Sequence, residues 1–580
     1  MDEHALELVR GGDHPVGVLD PPGKRNERAH LPDQRQRHQR AQGGGNHHGL
    51  GEQPGDCPLR TDQSHHPSIP RGPPVHLSAW RAGPRQCYSP AVDFVAGTFA
   101  EPQRPEGVIE DRCPADLSVL LGRHGWALSQ VDRAVDAARA AQPSWAARPG
   151  GERAALVRRI GEVLKGRAEE LARAIALDVG KPLWESRAEV QACVAKAAIT
   201  VEDGLRLVAP FPAPGQPDAE CRFRPLGVVA VLGPFNFPVH LPNGHVLPAL
   251  ACGNTVVFKP SEIAPHAAEL YARCLAESGV PPGAFNLVQG PGPVGAALAA
   301  HPGVDGVLFT GSWAVGQAIQ RASLGQTKLL ALEMGGKNAA LVLRDADLDK
   351  AVYDALFSAF VSAGQRCTAA SRLIVEGPPA RADAVAARIA AAAERLSIGH
   401  PLREGVFMGP LASEPGLEKF LAGSRAAPET MLEPRALSPG GLRGWYVTPG
   451  VHRVRARTGS AYEREELFGP DLAVYDSSSE EEAVAIANST DYGLAASVHT
   501  ASREAFERCL STLDCGVVNW NAPTVGASGR LPFGGLKRSG NHRPAGLYSA
   551  LYCAAPVAIL QGEPRLDRAK LAPGVGWVDE

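Results

Sequence analysis

The residues best suited to chemistry in this chain lie close together in the sequence, and one of them is a cysteine. Cys367 follows Gly364 and Gln365 and is flanked by small and polar residues, unlike a core cysteine. Glu333 lies just before a diglycine, which lets backbone approach a ligand closely. A thiol can attack an aldehyde, and after the adduct has lost a hydride to an acceptor and become a thioester, a carboxylate near it can assist hydrolysis. A lone cysteine is more often an inert core residue, so the combination carries the hypothesis.

Length and composition describe an ordinary globular protein. The chain has 580 residues, of which 44% are hydrophobic, which allows several domains and a substantial core. A net charge of -3 gives no electrostatic footprint for nucleic acid or an anionic membrane. No apolar run is long enough to span a bilayer, and the first 20 residues lack the apolar block of a signal peptide. The 11 scattered cysteines indicate reduced thiols, and no Cys/His spacing indicates a metal site, so we expect a cytoplasmic protein.

Residues 1–88 differ from everything that follows. They hold nine of the chain's 18 histidines, many Pro, Gln and Arg residues, and almost no apolar periodicity. Such a segment cannot bury enough surface to offset its ordering entropy. The histidine pairs at 47–48 and 65–66 could be read as metal ligands, but a solvated tail is the favoured interpretation. We therefore predict that 1–88 is a disordered extension or is not made in the native protein.

The rest of the chain alternates between helical and extended patterns. Ser129 and Asp132 predict the start of a helix that Pro143 should end. Further along, strand-like runs alternate with helices: Val228–Leu232, Thr255–Phe258, Phe285–Val288, Val307–Phe309 and Leu329–Leu332. This alternation predicts an α/β fold with a parallel, doubly wound sheet whose ligand lies at the carboxyl ends of the strands. Gly290 to Gly295 fits the dinucleotide pattern G-x-G-x-x-G, although a simple strand-to-helix turn explains it about as well.

Seven motifs in one order resemble the aldehyde dehydrogenase superfamily. The likeness runs over roughly residues 90 to 575, and its motifs are Gly233–Pro238, Lys259–Glu262, Phe309–Ser312 with Gly316, Glu333–Lys337, Gly364–Thr368, Glu465–Pro470 and Pro532–Gly535. The resemblance implies an NAD-binding domain over 89–204 and 226–334, and a second α/β catalytic domain over 335–547. It also implies an oligomerisation hairpin over 205–225 and a C-terminal oligomerisation strand and tail over 548–580. We expect that strand to pair with a neighbour's hairpin in a homodimer or homotetramer.

The resemblance also assigns the chemical roles. Cys367 corresponds to the nucleophile, and Glu333 to the base that activates water for hydrolysis of the thioester. Asn236 corresponds to the side-chain amide that holds the oxyanion, a task that suits an amide because its NH2 donates without adding a titrating charge. Members that pass the acyl group to coenzyme A typically lack the glutamate. The presence of Glu333 therefore favours water as the acceptor.

By the same resemblance, NAD is the cofactor. Lys259 corresponds to a ligand of the adenosine ribose and phosphate, with Glu262 close by. A carboxylate near the ribose 2'-hydroxyl would repel a 2'-phosphate, which favours NAD over NADP; the alternative is an exposed loop ion pair. The remaining cofactor positions implied by the resemblance are Gly292, the helix N-terminus Gly311, Ser312, Trp313, Ala314, Val315 and Gly316, and then Glu466 and Phe468.

Four peripheral stretches, 222–225, 240–245, 519–521 and 539–544, resemble one branch of the superfamily, whose members oxidise succinylglutamate semialdehyde in bacterial arginine breakdown. Arg543 could bind a carboxylate of that substrate, and Asn519 or Asn521 its amide. The alternative role for Arg543, which the sequence supports about as well as substrate binding, is a structural or interface ion pair. Lys337 and the pair Lys537-Arg538 depart from this branch. Another aldehyde, such as glutamate semialdehyde, is therefore the alternative substrate, and a non-catalytic nucleotide-binding protein is the alternative from a different class.

Overall fold

The computed structural model describes residues 92–578, so the predicted extension at 1–88 lies outside the described residues. The strands of the described part are, in chain order, β1 (Asp93–Val95), β2 (Thr98–Ala100), β3 (Gly107–Arg112), β4 (Leu120–Trp126), β5 (Phe211–Ala213), β6 (Gln216–Pro225), β7 (Val228–Leu232), β8 (Thr255–Lys259), β9 (Phe285–Leu287), β10 (Gly306–Thr310), β11 (Leu329–Glu333), β12 (Asn338–Val342), β13 (Ala370–Glu376), β14 (Glu429–Leu432), β15 (Ala436–Leu437), β16 (Tyr446–Val447), β17 (Gly450–Val454), β18 (Asp471–Ser477), β19 (Tyr492–Gly493), β20 (Ala495–His499), β21 (Val517–Trp520), β22 (Pro532–Phe533), β23 (Leu536–Lys537), β24 (Ala545–Gly546) and β25 (Ala554–Leu560).

The α-helices alternate with these strands. In chain order they are α1 (Ser129–Ala146), α2 (Gly150–Gly166), α3 (Ala168–Val179), α4 (Leu183–Glu202), α5 (His240–Ala251), α6 (Pro265–Glu277), α7 (Gly292–Ala300), α8 (Trp313–Ala322), α9 (Leu348–Phe360), α10 (Pro379–Ala393), α11 (Glu414–Ser424), α12 (Ala461–Arg464), α13 (Glu480–Asn488) and α14 (Arg503–Thr512). Within residues 92–578, no helix combines the length and the apolar character needed to cross a membrane.

The first large sheet has seven strands in the order β11-β10-β7-β8-β9-β1-β2. Its five strands from β11 to β9 are parallel, and β1 and β2 add antiparallel at one edge. Along β7, Val229 and Val231 pack into one core while Val228, Ala230 and Leu232 pack into another. Both faces are buried because helices cover them, which is why these strands read as continuous apolar runs. The predicted doubly wound α/β fold is confirmed.

The second large sheet also has seven strands, in the order β14-β17-β18-β13-β12-β20-β21. All of its neighbours are parallel except β14 and β17. Only four residues, Met334 to Lys337, connect β11 of the first sheet to β12 of the second. This short crossing places the end of one sheet beside the loops of the other, and Glu333 is the last residue before it.

A third, smaller sheet corrects one prediction. Strand β25 pairs antiparallel with β6, and β6 with β5. The C-terminal strand therefore pairs with the hairpin of its own chain, so the prediction that it joins a neighbour's hairpin is wrong. The apolar pattern of residues 552–560 predicts a strand, but an extended segment offers the same hydrogen bonds to any partner edge, so the pattern cannot specify which chain supplies it.

Helix α1 corrects a second prediction. It runs to Ala146, so Pro143 lies inside the helix and does not end it. Ser129 is the first helical residue and the cap position is Leu128, which makes no side-chain capping bond. The backbone N–H of Leu128 instead donates to Glu106 at 2.9 Å. Pro143 lies in the last helical turn and its carbonyl accepts from Ala147 at 3.1 Å, so the proline costs one hydrogen bond near an end where few remain.

Candidate active site

Glu333 is held at the end of β11 by the segment that follows Gly535. The backbone of Glu333 pairs antiparallel with Gly540. Met334 N–H donates to the carbonyl of Ser539 at 2.9 Å, and Leu332 N–H donates to Asn541 Oδ1 at 3.0 Å. These bonds extend the sheet edge by one short strand-like segment and so fix the direction in which the glutamate side chain leaves the backbone.

The carboxyl group of Glu333 is buried and incompletely bonded. Its side chain is 5% exposed, and its Oε2 has no hydrogen-bond partner among the described residues. Burial raises the pKa of Glu333 well above its ordinary value, and a backbone hydrogen bond from Ala545 opposes this. A Cβ added at Gly534 would lie 2.8 Å from Glu333 Oε1, so glycine leaves the carboxyl its space. An unpartnered buried carboxyl oxygen of this kind can accept from a water molecule.

Cys367 lies in the loop between α9 and β13, and this loop begins in an unusual conformation. Ser362 and Ala363 have φ values of 56° and 53°, and Gly364 follows at 68°. Non-glycine residues in the left-handed region persist only when the surroundings hold them there. Burial raises the pKa of the Cys367 thiol to about 12, and the charges of Glu466 and Glu333 add to this. At neutral pH the thiol is therefore protonated in this arrangement, and its attack needs a base or added positive charge.

Asn236 contacts the same loop from the first sheet. It lies in the turn that follows β7, is buried, and its Nδ2 donates to the carbonyl of Gln365 at 2.9 Å. From the other side, a Cβ added at Gly336 would lie 2.7 Å from the carbonyl oxygen of Cys367. The predicted thiol, carboxylate and amide are thus brought to one place, although more than a hundred residues separate Asn236 from Cys367 in the sequence.

The predicted adenosine end of the cofactor site lies at the end of β8. Lys259 is buried, and burial lowers the pKa of its ammonium group, an effect that Glu262 opposes. Lys259 Nζ is 3.4 Å from Glu262 Oε2, and the Glu262 side chain is half exposed. A Cβ added at Gly295 would lie 3.5 Å from Lys259 Cδ, whereas nothing lies within 4 Å of one at Gly292. The start of α7 is therefore open beside a buried lysine.

The predicted phosphate turn is a capped helix N-terminus. Ser312 caps α8, and its Oγ accepts from the backbone N–H of Val315 at 3.4 Å. Gly311 packs against the ring of Phe309, and Gly316 packs against Met334. Ala314 and Val315 are exposed. A glycine-flanked, solvent-facing N-terminus of this kind favours an anion through its N–H groups and its dipole.

Trp313 differs from its neighbours because its ring is covered. The guanidinium of Arg538 lies 4.4 Å from the centre of the ring, and Arg538 also pairs with Asp491 at 3.0 Å. Lys537 pairs with Asp514 at 2.9 Å. Lys537 and Arg538, two of the three residues that depart from the branch, thus form ion pairs with Asp514 and Asp491.

Glu466 and Phe468 are positioned at the diglycine. Glu466 Oε1 accepts from the backbone N–H of Gly336 at 3.0 Å, and burial raises the pKa of Glu466 to about 7. Phe468 has a φ of 57°, and its ring meets Phe235 edge-on with 5.8 Å between centroids. Of these two predicted cofactor residues, Glu466 therefore contacts the diglycine that follows β11, and Phe468 contacts the residue directly before Asn236.

Lys337 has a supporting role that sequence reasoning missed. Its Nζ donates to the carbonyls of Tyr462 at 2.8 Å and Glu465 at 2.9 Å. Burial lowers the pKa of Lys337 to about 8. The lysine thus fastens the loop that carries Glu466, and its place directly after the diglycine was the signal available for finding it.

The three predicted substrate residues have different surroundings. Arg543 is exposed and donates only to the carbonyl of His542 at 3.4 Å, and no carboxylate among the described residues pairs with it. Asn519 donates to Pro523 at 2.7 Å. Asn521 uses both ends of its amide on the backbone of Thr500, accepting at 3.0 Å and donating at 2.9 Å. Arg543 is therefore exposed and has no ion-pair partner in the described part of the chain, whereas both ends of the Asn521 amide are used in hydrogen bonds to the backbone of Thr500.

Comparison with known proteins identifies the family. The model of the aldehyde dehydrogenase family matches residues 99–555. This chain belongs to that family. The predicted resemblance is confirmed, and the aldehyde dehydrogenase fold described above is the expected one for it.

Individual relatives agree with the family assignment. The chain is 44% identical over 470 residues to the N-succinylglutamate 5-semialdehyde dehydrogenase of Chromobacterium violaceum, covering 80% of this aldehyde dehydrogenase and 95% of the relative. A mutant aldehyde dehydrogenase C of Pseudomonas syringae, solved with NAD+ and octanal, is 34% identical with a TM-score of 0.77, covering 82% and 98% of the two chains. An NADP-dependent enzyme of E. coli is 30% identical with a TM-score of 0.77, covering 82% and 98%.

Proposed function

We propose that this aldehyde dehydrogenase oxidises N-succinylglutamate 5-semialdehyde to N-succinylglutamate with NAD and water. The observation that carries the chemistry is the convergence of Cys367, Glu333 and Asn236 on one loop. The relative from Chromobacterium violaceum supports the choice of substrate. The test is NADH formation across a panel of aldehydes that includes glutamate semialdehyde and neutral aliphatic and aromatic compounds. A higher kcat/KM for one of the others would replace the proposed substrate.

The first step is attack of Cys367 Sγ on the aldehyde carbonyl. The thiol loses its proton in this step, and three groups are candidates for activating it: Glu333 acting through a water molecule, nearby backbone N–H donors, and the positive charge of the bound cofactor. The new oxyanion would be held by the Asn236 amide and by the backbone N–H of Cys367. Asn236 Nδ2 already points at the loop of Cys367, so little reorganisation is needed when charge develops on the oxygen.

The second step is hydrolysis. NAD, when bound, supplies the acceptor for the hydride that the thiohemiacetal loses, which leaves a thioester on Cys367. Glu333 then takes a proton from the attacking water, and its raised pKa makes it a stronger base than an exposed carboxylate. Release of the carboxylic acid returns the thiol. Lys259, Glu262, the start of α7, the N-terminus of α8 and Glu466 would hold the cofactor.

Cofactor choice should depend on Glu262. We expect NAD to exceed NADP in kcat/KM by about tenfold or more, because the carboxylate would meet the 2'-phosphate with like charge. Glu262→Gln should narrow the gap, measured as the ratio of the two kcat/KM values. Glu433→Gln, at another exposed glutamate, is the control and should leave the ratio unchanged. Equal use of both cofactors by the unmodified enzyme would show that Glu262 points elsewhere.

Substrate choice should depend on Arg543. Arg543→Leu should raise KM for succinylglutamate semialdehyde by about one to two orders of magnitude, because a charge-assisted hydrogen bond to a carboxylate contributes about 1.5 to 3 kcal/mol. The KM of a neutral aldehyde should stay within about twofold. Arg435→Leu, at another exposed arginine, is the matched control. An equal loss with every aldehyde would mean that Arg543 is structural.

The assembly and location are further proposals. We infer a homodimer or homotetramer in which the three-stranded sheet of β5, β6 and β25 contributes to contacts. Among residues 92–578 no strand pairs with the outer edge of β5, and Phe211 on this strand is exposed. The cofactor domain would be 89–204 with 226–334, and the catalytic domain 335–547. Every cysteine within residues 92–578 is a free thiol, which supports a cytoplasmic protein.

A further inference from the structure

We propose that Glu185 and Glu189, one turn apart on α4, are positioning residues that fix the spacing between Asn236 and Cys367. The inference rests on the proposed function, because it takes Cys367 as the nucleophile and Asn236 as the oxyanion donor. It assigns no atom of the two glutamates to the substrate. It concerns how the chain keeps the nucleophile and the oxyanion donor at a fixed distance from each other, although they lie in loops that connect to different sheets.

The two glutamates are unusual because both are buried. Each is 2% exposed, and residues four apart on a helix lie on the same face. Two neighbouring carboxylates buried on one face repel each other and lose their hydration, so the arrangement persists only with good partners. Their partners belong to two separate loops, and each loop carries one of the proposed catalytic groups.

Glu185 holds the loop of the nucleophile. Its Oε1 accepts from the backbone N–H of Ser362 at 3.1 Å, and its Oε2 accepts from the Ser362 hydroxyl. Arg366 Nη2 donates to Oε2 at 2.7 Å, and Arg366 Nε donates to Ser362 Oγ at 2.9 Å. The carboxylate therefore contacts both the first left-handed residue of the loop and the residue directly before Cys367.

Glu189 holds the loop of the oxyanion donor. Its Oε1 accepts from the backbone N–H groups of Val239 and His240 at 3.1 and 3.0 Å. These residues begin α5, so the carboxylate also complements the positive end of that helix. Its Oε2 pairs with Lys181 at 2.5 Å. Only two residues separate Asn236 from Val239, the first of these anchored N–H groups.

The two loops also meet each other beside α4. Lys181 Nζ lies 3.7 Å from the centre of the Phe237 ring, and the Arg366 guanidinium lies 5.1 Å from it. The cation paired with each glutamate thus contacts the residue next to Asn236. Asn236 also donates to Gln365, so the loop of Asn236 and the loop of Cys367 contact each other directly. Each of the two loops is also bound to α4, by Glu189 and Glu185 respectively.

The backbone conformation explains why such a clamp is needed. Ser362 and Ala363 both have positive φ and both carry a Cβ, so the loop is not at its local minimum. Without its carboxylate partner, the backbone of Ser362 could relax to a negative φ, and Cys367 would move with it. A shift of about 1 Å in a reacting group is enough to lower a rate about a hundredfold.

The test is Glu185→Gln, which keeps the shape and removes the charge. We expect kcat to fall about a hundredfold, while KM for the aldehyde and the affinity for NADH stay within about twofold. The rate at which iodoacetamide alkylates Cys367, measured by peptide mapping, should change together with kcat. The assay uses whichever aldehyde the unmodified enzyme oxidises best, so failure of the proposed substrate does not affect it.

A matched control comes from another buried glutamate. Glu269 on α6 is 4% exposed, and its Oε1 accepts a hydrogen bond from Arg273 Nε at 2.7 Å. No hydrogen bond or ion pair joins it to either loop within the described residues. Glu269→Gln should therefore cost stability without a selective fall in kcat. Glu189→Gln should resemble Glu185→Gln, and the double variant should lose less than the product of the two effects, because both act through one spacing.

A second variant covers the case in which Glu185→Gln does not fold. Ser362→Ala removes the hydroxyl that bonds both Glu185 and Arg366 and keeps the carboxylate in place. It should lower kcat about tenfold or more with cofactor affinity unchanged. The inference is overturned if kcat of the folded variants matches that of Glu269→Gln, or if their loss lies in NADH affinity.

Discussion

Glu333→Gln should give a burst of NADH that approaches one equivalent per active site, followed by turnover about two to four orders of magnitude slower than that of the unmodified enzyme. Gln keeps the shape and polarity of the side chain but cannot take a proton from water. Hydride transfer precedes hydrolysis, so the thioester forms and then accumulates. Rapid mixing with observation of NADH separates the two phases.

The control for this prediction is Cys367→Ala, which should abolish the burst and the turnover together while the protein still binds NAD. If Glu333→Gln gives no burst, the glutamate is also required to activate the thiol, in keeping with the raised pKa of Cys367. If it turns over normally, Glu333 is not the base, and water loses its main support as the acyl acceptor.

Asn236→Ala should lower kcat about a hundredfold to a thousandfold, the cost of removing one donor to an oxyanion. KM should change little, because the donor gains strength only as charge develops on the oxygen. The comparison is with Asn243→Ala, another buried asparagine nearby in the chain, whose Nδ2 donates to the carbonyl of Cys193 at 3.1 Å. That variant should lose stability and keep kcat.

The opposite pattern would assign Asn236 a different role. Its amide donates to the carbonyl of Gln365, so a structural contribution to the loop is the competing account. A loss of thermal stability without a fall in kcat would favour that account. A fall in kcat with an unchanged unfolding midpoint would support the oxyanion role.

The sequence predicts the parallel sheet because its strands are buried on both faces. Runs such as Val228–Leu232 are apolar throughout, and the helices between them repeat with regular spacing. The motifs also identify Cys367, Glu333 and Asn236, and the last two each follow a predicted strand. Their mutual distance was not predictable from spacing, because it depends on the four-residue crossing from β11 to β12.

Other features lie beyond the reach of local patterns. Pro143 satisfies a rule for ending a helix, yet the helix continues for three more residues because the loss falls near its end. Asn521 resembles an available amide, but its two ends are used on Thr500, which lies 21 residues away. Glu185 and Glu189 read as ordinary helix-surface charges, and only the tertiary contacts with Ser362 and Val239 reveal them as buried clamps.

The most direct test of the account is the mass of the enzyme during turnover. Glu333→Gln is mixed with NAD and succinylglutamate semialdehyde, quenched in acid after the burst, and digested for peptide mapping. We predict one added succinylglutamyl group per chain, located on Cys367 and released by hydroxylamine as expected for a thioester. NADH formation with no adduct, or with the adduct on another residue, would contradict the assignment of Cys367 as the nucleophile and Glu333 as the base for hydrolysis.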